Sequence, residues 1–193
     1  MKFDLVCVDM FQTLVDVNTR VPAIWKKILQ DNYSEEQVER CLKIMDKEVL
    51  KHFHDTLSRS VQFSNLRTLF AARFKEIAAA AELGFQAEEA VDIILREHGN
   101  AGLFDDTSDF LEQLQGKVPV CIVTDADRVM VEPLLDKLIY DSVYISEDHE
   151  AYKNDDEGRL FRKVLQRYQV DAAKVVHIGD SSSDIFGARK AGI

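Results

Sequence analysis

Asp9 closes the apolar run Leu5, Val6, Cys7 and Val8 in the stretch LVCVDMFQTLVD, and the short MFQT segment follows before Leu14 and Val15 resume the apolar pattern. A carboxylate handed from a buried strand to a loop is placed for nucleophilic attack or for cation binding. Two residues later, where a second carboxylate would complete an acid/base pair, stands Phe11. A second acidic group lies near the other end, in VVHIGDSSSDIFGARKAG, where Asp180 and Asp184 flank three serines. Two carboxylates this close repel each other unless a cation or a hydrogen-bond network sits between them, and a hard, oxygen-preferring ion such as Mg2+ suits that place. Ser181 to Asp184 could equally cap a helix that starts there. Thr124 ends the run CIVT and offers a hydroxyl and an N–H where a strand opens onto a helix, a phosphate-cradling arrangement. Lys153 is an isolated cation in the acidic SEDHEAYKNDDEG; it is either a solvated charge or the group that neutralises a phosphate and keeps Asp9 ionised.

Four short runs must position these groups: 3–9, 118–125, 142–146 and 174–180. They are rich in Val and Ile, as expected of strands buried on both faces of a parallel sheet. Helix-period segments at 127–138 and 157–168 separate the last three, with Pro133 expected to distort the first turns of the earlier one. Strand and helix alternation gives a doubly wound α/β layer with right-handed crossovers, whose ligands gather at the strand carboxyl ends. Asp9, Thr124, Asp125 and Asp180 all fall there. From 16 to 100 no strand-like run occurs, and about four amphipathic helices are expected. Ile24, Trp25, Ile28 and Leu29 mark the first; the second opens on a Ser34/Gln37 capping box. The third runs through Leu66 to Ile77 and ends at Gly84, and the fourth stops at Gly99. The expected organisation is therefore an α/β core of 1–15 and 101–193, with a helical module of 16–100 inserted at its active edge, well placed to serve as a lid.

A chain of 193 residues with 46% hydrophobic and 30% charged side chains, eight glycines and three prolines has the composition of a folded globular protein. Its net charge of −10, with no Lys/Arg block clear of acidic neighbours, argues against nucleic acid or anionic membrane as a partner. No apolar run approaches the roughly 18 residues of a membrane span, and the opening MKFDLVCVD has no leader pattern. Three cysteines without zinc-type spacing are expected as reduced core thiols, and a cytoplasmic location follows.

Taken in order, DMFQT, Thr124, Lys153 and GDSSSD, each after an expected strand and with helices inserted between the first two, resemble the four motifs of the haloacid dehalogenase (HAD) superfamily of hydrolases over the whole chain. The resemblance implies a Rossmann-like core with an α-helical cap. It also implies Mg2+-dependent phosphatase chemistry on a small phosphorylated molecule, through an aspartyl-phosphate on Asp9. Mg2+ would be held by Asp9, the Phe11 backbone carbonyl and Asp180, with Asp184 reaching it directly or through water. Thr13, Thr124, Asp125 and Lys153 would bind or support the phosphate. Because Phe11 contributes a main-chain carbonyl, its side chain need not cost the metal; it costs the acid, which the family's phosphatases place there. Gln12 also departs from the family's usual glycine. A cap residue could supply the acid instead, and His52 and His54 are present there, as are Lys26, Lys27, Lys43, Lys47, Lys51 and Lys75.

The family's phosphonoacetaldehyde hydrolases also lack the second aspartate and use a cap lysine. Its dehalogenases carry an aromatic residue at the Phe11 position and need no metal, but do not usually keep the pair seen as Gly179 and Asp180. A nearly inactive metal- and phosphate-binding member is a further reading, favoured by Phe11 and opposed by Asp9, Thr13, Thr124, Lys153 and Asp180. The family usually continues through at least one more strand past the GARKAG helix; if the natural protein is longer than this sequence, that strand is missing beside the fourth run and its edge is open.

Overall fold

The computed structural model describes residues 2–45 and 62–193. Strands β1 (Leu5–Val8), β4 (Val120–Thr124), β5 (Ser142–Ile145) and β6 (Val175–Ile178) form one parallel sheet in the order β5-β4-β1-β6. The two central strands are buried throughout, whereas β5 and β6 are edges with part-exposed side chains, so burial on both faces holds only for β1 and β4. Alternation along the central strands sorts their side chains between two cores. Val8, Val120 and Ile122 face one, while Leu5, Cys7, Cys121 and Val123 face the other, with Leu160, Phe161 and Val164 of a helix packed on them. Cys7 and Cys121 are register partners on adjacent strands, and all three cysteines are free and buried, as expected.

The inserted helices are α1 (Val21–Leu29), α2 (Glu35–Ile44), α3 (Leu66–Ala81) and α4 (Ala87–Gly99). Their apolar faces, including Ile24, Trp25, Phe74 and Val91, join the same hydrophobic cluster as Val8 and Ile122. The chain enters and leaves this insertion side by side, through a short antiparallel pair of β2 (Val15–Asp16) and β3 (Gly102–Leu103). A second connection lies opposite. Asp127 accepts the N–H groups of Leu66 and Arg67 at 2.7 and 2.8 Å, capping α3 from the sheet side. Asn65 donates to Glu147 at 3.1 Å, and Tyr152 exchanges hydrogen bonds with the Ser64 backbone. The helices are thus tied onto the strand carboxyl ends, where the candidate site lies.

Several local expectations change. Ser34 caps α2 by accepting the Gln37 N–H, but the Gln37 side-chain oxygen is buried without a partner, so only half of the capping box forms. Helix α3 ends on Glu82 in the left-handed conformation rather than at Gly84. A helix α5 (Thr107–Leu114) follows β3 where none was anticipated, and Pro133 sits in the second half of α6 (Arg128–Leu135), not in its first turns. Short α7 (Ser146–His149) and longer α8 (Arg159–Tyr168) and α9 (Ser182–Ala191) complete the fold. Among the described residues the outer edge of β6 has no partner strand, and Ile178, Ile185 and Phe186 beside it are exposed.

Two glycines bring α9 against the loop that carries Lys153. A Cβ on Gly187 would stand 2.2 Å from the Lys153 carbonyl oxygen, and one on Gly158, whose φ is +63°, would stand 2.8 Å from the Gly187 carbonyl oxygen. Backbone on both sides leaves no flexible atom to yield. Gly187→Ala is therefore expected to destabilise the protein by about 1–3 kcal/mol, read as a lowered urea midpoint. An unchanged midpoint would show that the helix and loop separate freely.

Candidate active site

The residues singled out from sequence meet at the carboxyl ends of β1, β4 and β6. Asp9 follows β1, with its N–H bonded to the Ile178 carbonyl at 2.8 Å. The turn after it is built by backbone: the Met10 carbonyl accepts the N–H groups of Leu14 and Val15, and Gln12 donates to the Val15 carbonyl. Gln12 adopts a φ of 64°, the region that favours glycine, and its side-chain oxygen accepts the Val17 N–H at 3.3 Å. The turn geometry is therefore kept without the glycine, and the added hydrogen bond offsets part of its strain.

Lys153 is not a solvated charge. Its side chain is 3% exposed, and its ammonium lies 2.7 Å from Asp9 Oδ1 and 2.5 Å from Asp184 Oδ1. Burial works against the ammonium, but the surrounding Asp9, Asp125 and Asp184 outweigh it and raise its pKa. Asp184 opens α9 in a full capping box with Ser181, and both of its oxygens are occupied. His177 Nε2 (2.8 Å) joins Lys153 on Oδ1, while the Ser181 N–H (3.0 Å) and hydroxyl (2.5 Å) donate to Oδ2. Burial pushes Asp184 up, yet the His177 hydrogen bond and the Lys153 charge hold it below the ordinary carboxylate range. Capping and site membership are thus compatible roles of one side chain. Gly179 leaves the room: a Cβ there would meet the Asp184 carboxyl carbon at 2.3 Å.

Asp180 is exposed, and oxygens of Asp9, Asp180 and Asp184 lie within 4.8 Å of one another. Thr13 Oγ stands 3.4 Å from Asp9 and 3.5 Å from Asp180, able to donate to one at a time. Thr124 is buried at the end of β4. Asp125 accepts the Lys153 N–H at 2.9 Å and the Ser183 hydroxyl at 3.3 Å, so it braces the Lys153 loop. Phe11 is half-buried, edge-on to His98 of α4, with ring centroids 6.0 Å apart. His98 donates from Nδ1 to the Ile94 carbonyl, burial pushes its pKa down, and nothing in the sequence pattern marked it. Lys27, Lys43 and Lys75 pair with Glu97, Glu39 and Glu88 on the inserted helices, while Lys47, Lys51, His52 and His54 lie outside the described residues.

A parallel α/β sheet with a carboxylate, a buried lysine and an acidic cluster at its strand ends is the class of fold and site this geometry defines. The sequence model of haloacid dehalogenase-like hydrolases matches residues 3–192, and the chain belongs to that family. No curated protein matches it in sequence. Among solved structures, YfnB from Bacillus subtilis, described as a HAD-hydrolase bound to magnesium, is similar at a TM-score of 0.80 and 18% identity, over 100% of this chain and 85% of that one. The L-2-haloacid dehalogenase of Xanthobacter autotrophicus is similar at a TM-score of 0.77 and 15% identity, over 98% and 75%. The defluorinating L-2-haloacid dehalogenase Rha0230 follows at 0.75 and 14%, over 99% and 79%. No helix among the described residues is long and apolar enough to cross a membrane.

Asp125 generates a pH test. Burial raises its pKa from 3.8 to about 6, so the folded protein holds a proton there that the unfolded chain releases. Stability from this group is full below about 4 and is lost as the pH rises through about 6. In EDTA, Asp125→Asn is expected to gain stability relative to wild type across that interval, measured by denaturant unfolding. Parallel wild-type and variant curves would place the Asp125 pKa elsewhere.

Proposed function

We propose that the protein hydrolyses a small phosphorylated molecule with Mg2+, through an aspartyl-phosphate on Asp9, in an active site covered by residues 16–100 as a cap domain. The observation that carries this reading is Asp180, which brings an exposed carboxylate to Asp9 and Asp184 within 4.8 Å. The donor set fits a hard cation. Asp9, Asp180 and the Phe11 carbonyl would hold it. Asp184, whose two oxygens already take four donors, would reach it through water. A bound ion supplies charge neutralisation to the transferring phosphoryl group, and the magnesium carried by the B. subtilis relative supports the choice.

The chain's own residues do the rest. An Asp9 oxygen attacks phosphorus in line, the bond to the leaving oxygen breaks, and water then attacks the acyl phosphate to release inorganic phosphate and restore the carboxylate. Lys153 opposes the burial that raises the Asp9 pKa, and offers its ammonium to the phosphoryl oxygens. Thr13 steadies the Asp9 carboxylate, while Thr124 and Asp125 shape the phosphate side. Phe11 donates no proton, so a leaving group that departs as a stable anion suits this site best. Positioned acid catalysis is worth about 100- to 10,000-fold, and that is the deficit expected for poor leaving groups. A cytosolic setting fits the three free, buried thiols.

A second reading rests on Phe11 and on the haloacid dehalogenases among the similar structures. Asp9 would displace halide from C2 of a 2-haloacid, and water would hydrolyse the resulting ester, with no metal involved. Steady-state hydrolysis of an aryl phosphate, with Mg2+ and then EDTA and with Asp9→Asn as blank, separates the two. Mg2+-dependent turnover absent from the blank is expected, along with faster alkyl phosphate hydrolysis in Phe11→Asp. EDTA-resistant halide release from a 2-haloacid, with no phosphate release, would replace the phosphatase reading by the second.

A further inference from the structure

Sequence and family place a carboxylate at position 184 and a lysine at 153, but they leave open what holds the two in register. Asp184 Oδ1 carries two donors at once, Lys153 Nζ at 2.5 Å and His177 Nε2 at 2.8 Å. The His177 side chain is 3% exposed and lies on β6, where Val175, Val176, His177 and Ile178 are in register with Leu5 to Val8. Its ring packs edge-on against Phe161 of α8, with centroids 4.7 Å apart at 74°, so both neighbours are fixed parts of the core. An ionised carboxylate accepts only, so the ring must present its proton on Nε2. Nδ1 is buried and has no partner among the described residues, which leaves Asp184 as the ring's hydrogen-bond partner there.

We propose that His177 is a positioning residue: by donating to Asp184 Oδ1 it sets the carboxylate that orients Lys153 against Asp9. The chain of contacts runs from His177 through Asp184 and Lys153 to Asp9 at 2.8, 2.5 and 2.7 Å. Ser181 holds only Oδ2, from within the same helix start, and the Lys153 ammonium that shares Oδ1 is the group to be oriented. His177 supplies the second anchor, from the sheet, and so ties the start of α9 to the β-strand that precedes the acidic turn. Outer partners of this kind are worth about 10- to 100-fold in activity or metal affinity. The catalytic part of this inference rests on the phosphoryl-transfer reading above; the anchoring part does not.

Two variants divide the donor from the packing. His177→Phe keeps an aromatic ring against Phe161 and loses the donor; His177→Gln loses the ring and places an amide N–H near the Nε2 position. Aryl phosphate kcat/KM is expected to fall about 10- to 100-fold in His177→Phe and to recover to within a few-fold in His177→Gln. In metal-free wild type, proton NMR is expected to show an imidazole N–H far downfield of the amides, absent in His177→Phe and shifted upfield in Asp184→Asn, whose neutral oxygen accepts more weakly. That signal is read without turnover, so it stands even if the phosphatase reading fails. No downfield imidazole proton, or equal losses in two folded variants, would overturn the proposal and reduce His177 to a packing residue.

Discussion

One buried ammonium shared between two carboxylates constrains most of this structure. Lys153 bridges Asp9 at the end of β1 and Asp184 at the start of α9, and all three side chains are nearly removed from water. Removing one partner from such a group leaves an uncompensated buried charge, at a cost of about 3–5 kcal/mol. The neighbouring sequence reads as provision for the bridge. Gly187 and Gly158 let α9 touch the lysine loop, Gly179 admits the Asp184 carboxyl, and Asp125 holds the Lys153 N–H. The same bridge acts on Asp9 directly, because the Lys153 charge opposes the burial that raises the Asp9 pKa.

Much of this was legible in the sequence. The Val- and Ile-rich runs ending in Asp9, Thr124 and Asp180 became parallel strands because their alternation suits a two-sided core, and strand carboxyl ends collect polar groups in such sheets. Lys153 was harder to read, since its acidic surroundings along the chain describe a solvated loop. Docking of α9 against its loop helps bury it, and the glycine that lets the two backbones touch, Gly187, lies far along the chain. Helix α5 carries a single fully buried leucine, Leu111, too weak a stripe to announce itself. The Ser34 capping box formed only by half, because the Gln37 side-chain oxygen makes no return hydrogen bond to the helix start. His177 could have been found from period-two spacing, which puts it on the Val175 side of β6, facing the α8 core. His98 could not, because its contact with Phe11 joins an inserted helix to the first turn.

Phe11 and Gln12 show how a motif can lose residue types and keep its backbone. Gln12 adopts the left-handed conformation that a glycine would take there, and the Phe11 side chain turns toward His98 while the turn itself stays closed by the Met10 carbonyl. The backbone of the first motif is thus separable from its proton donor. On the phosphoryl-transfer reading, what is missing is assistance to the leaving group, while the Asp9 carboxylate and the acidic cluster remain. A site of this kind is suited to substrates whose leaving oxygen is already a stable anion.

On the proposed reading, the cluster of Asp9, Asp180 and Asp184 is what would separate phosphoryl transfer from metal-free displacement on the same scaffold. Calorimetric titration of the protein with Mg2+, beside Asp180→Asn, tests this most directly. Saturable binding at one site per chain in wild type, weakened at least tenfold in Asp180→Asn, is the expected result. No binding in wild type, or equal binding in the variant, would contradict it and turn attention to Asp9 as a nucleophile that works without a metal.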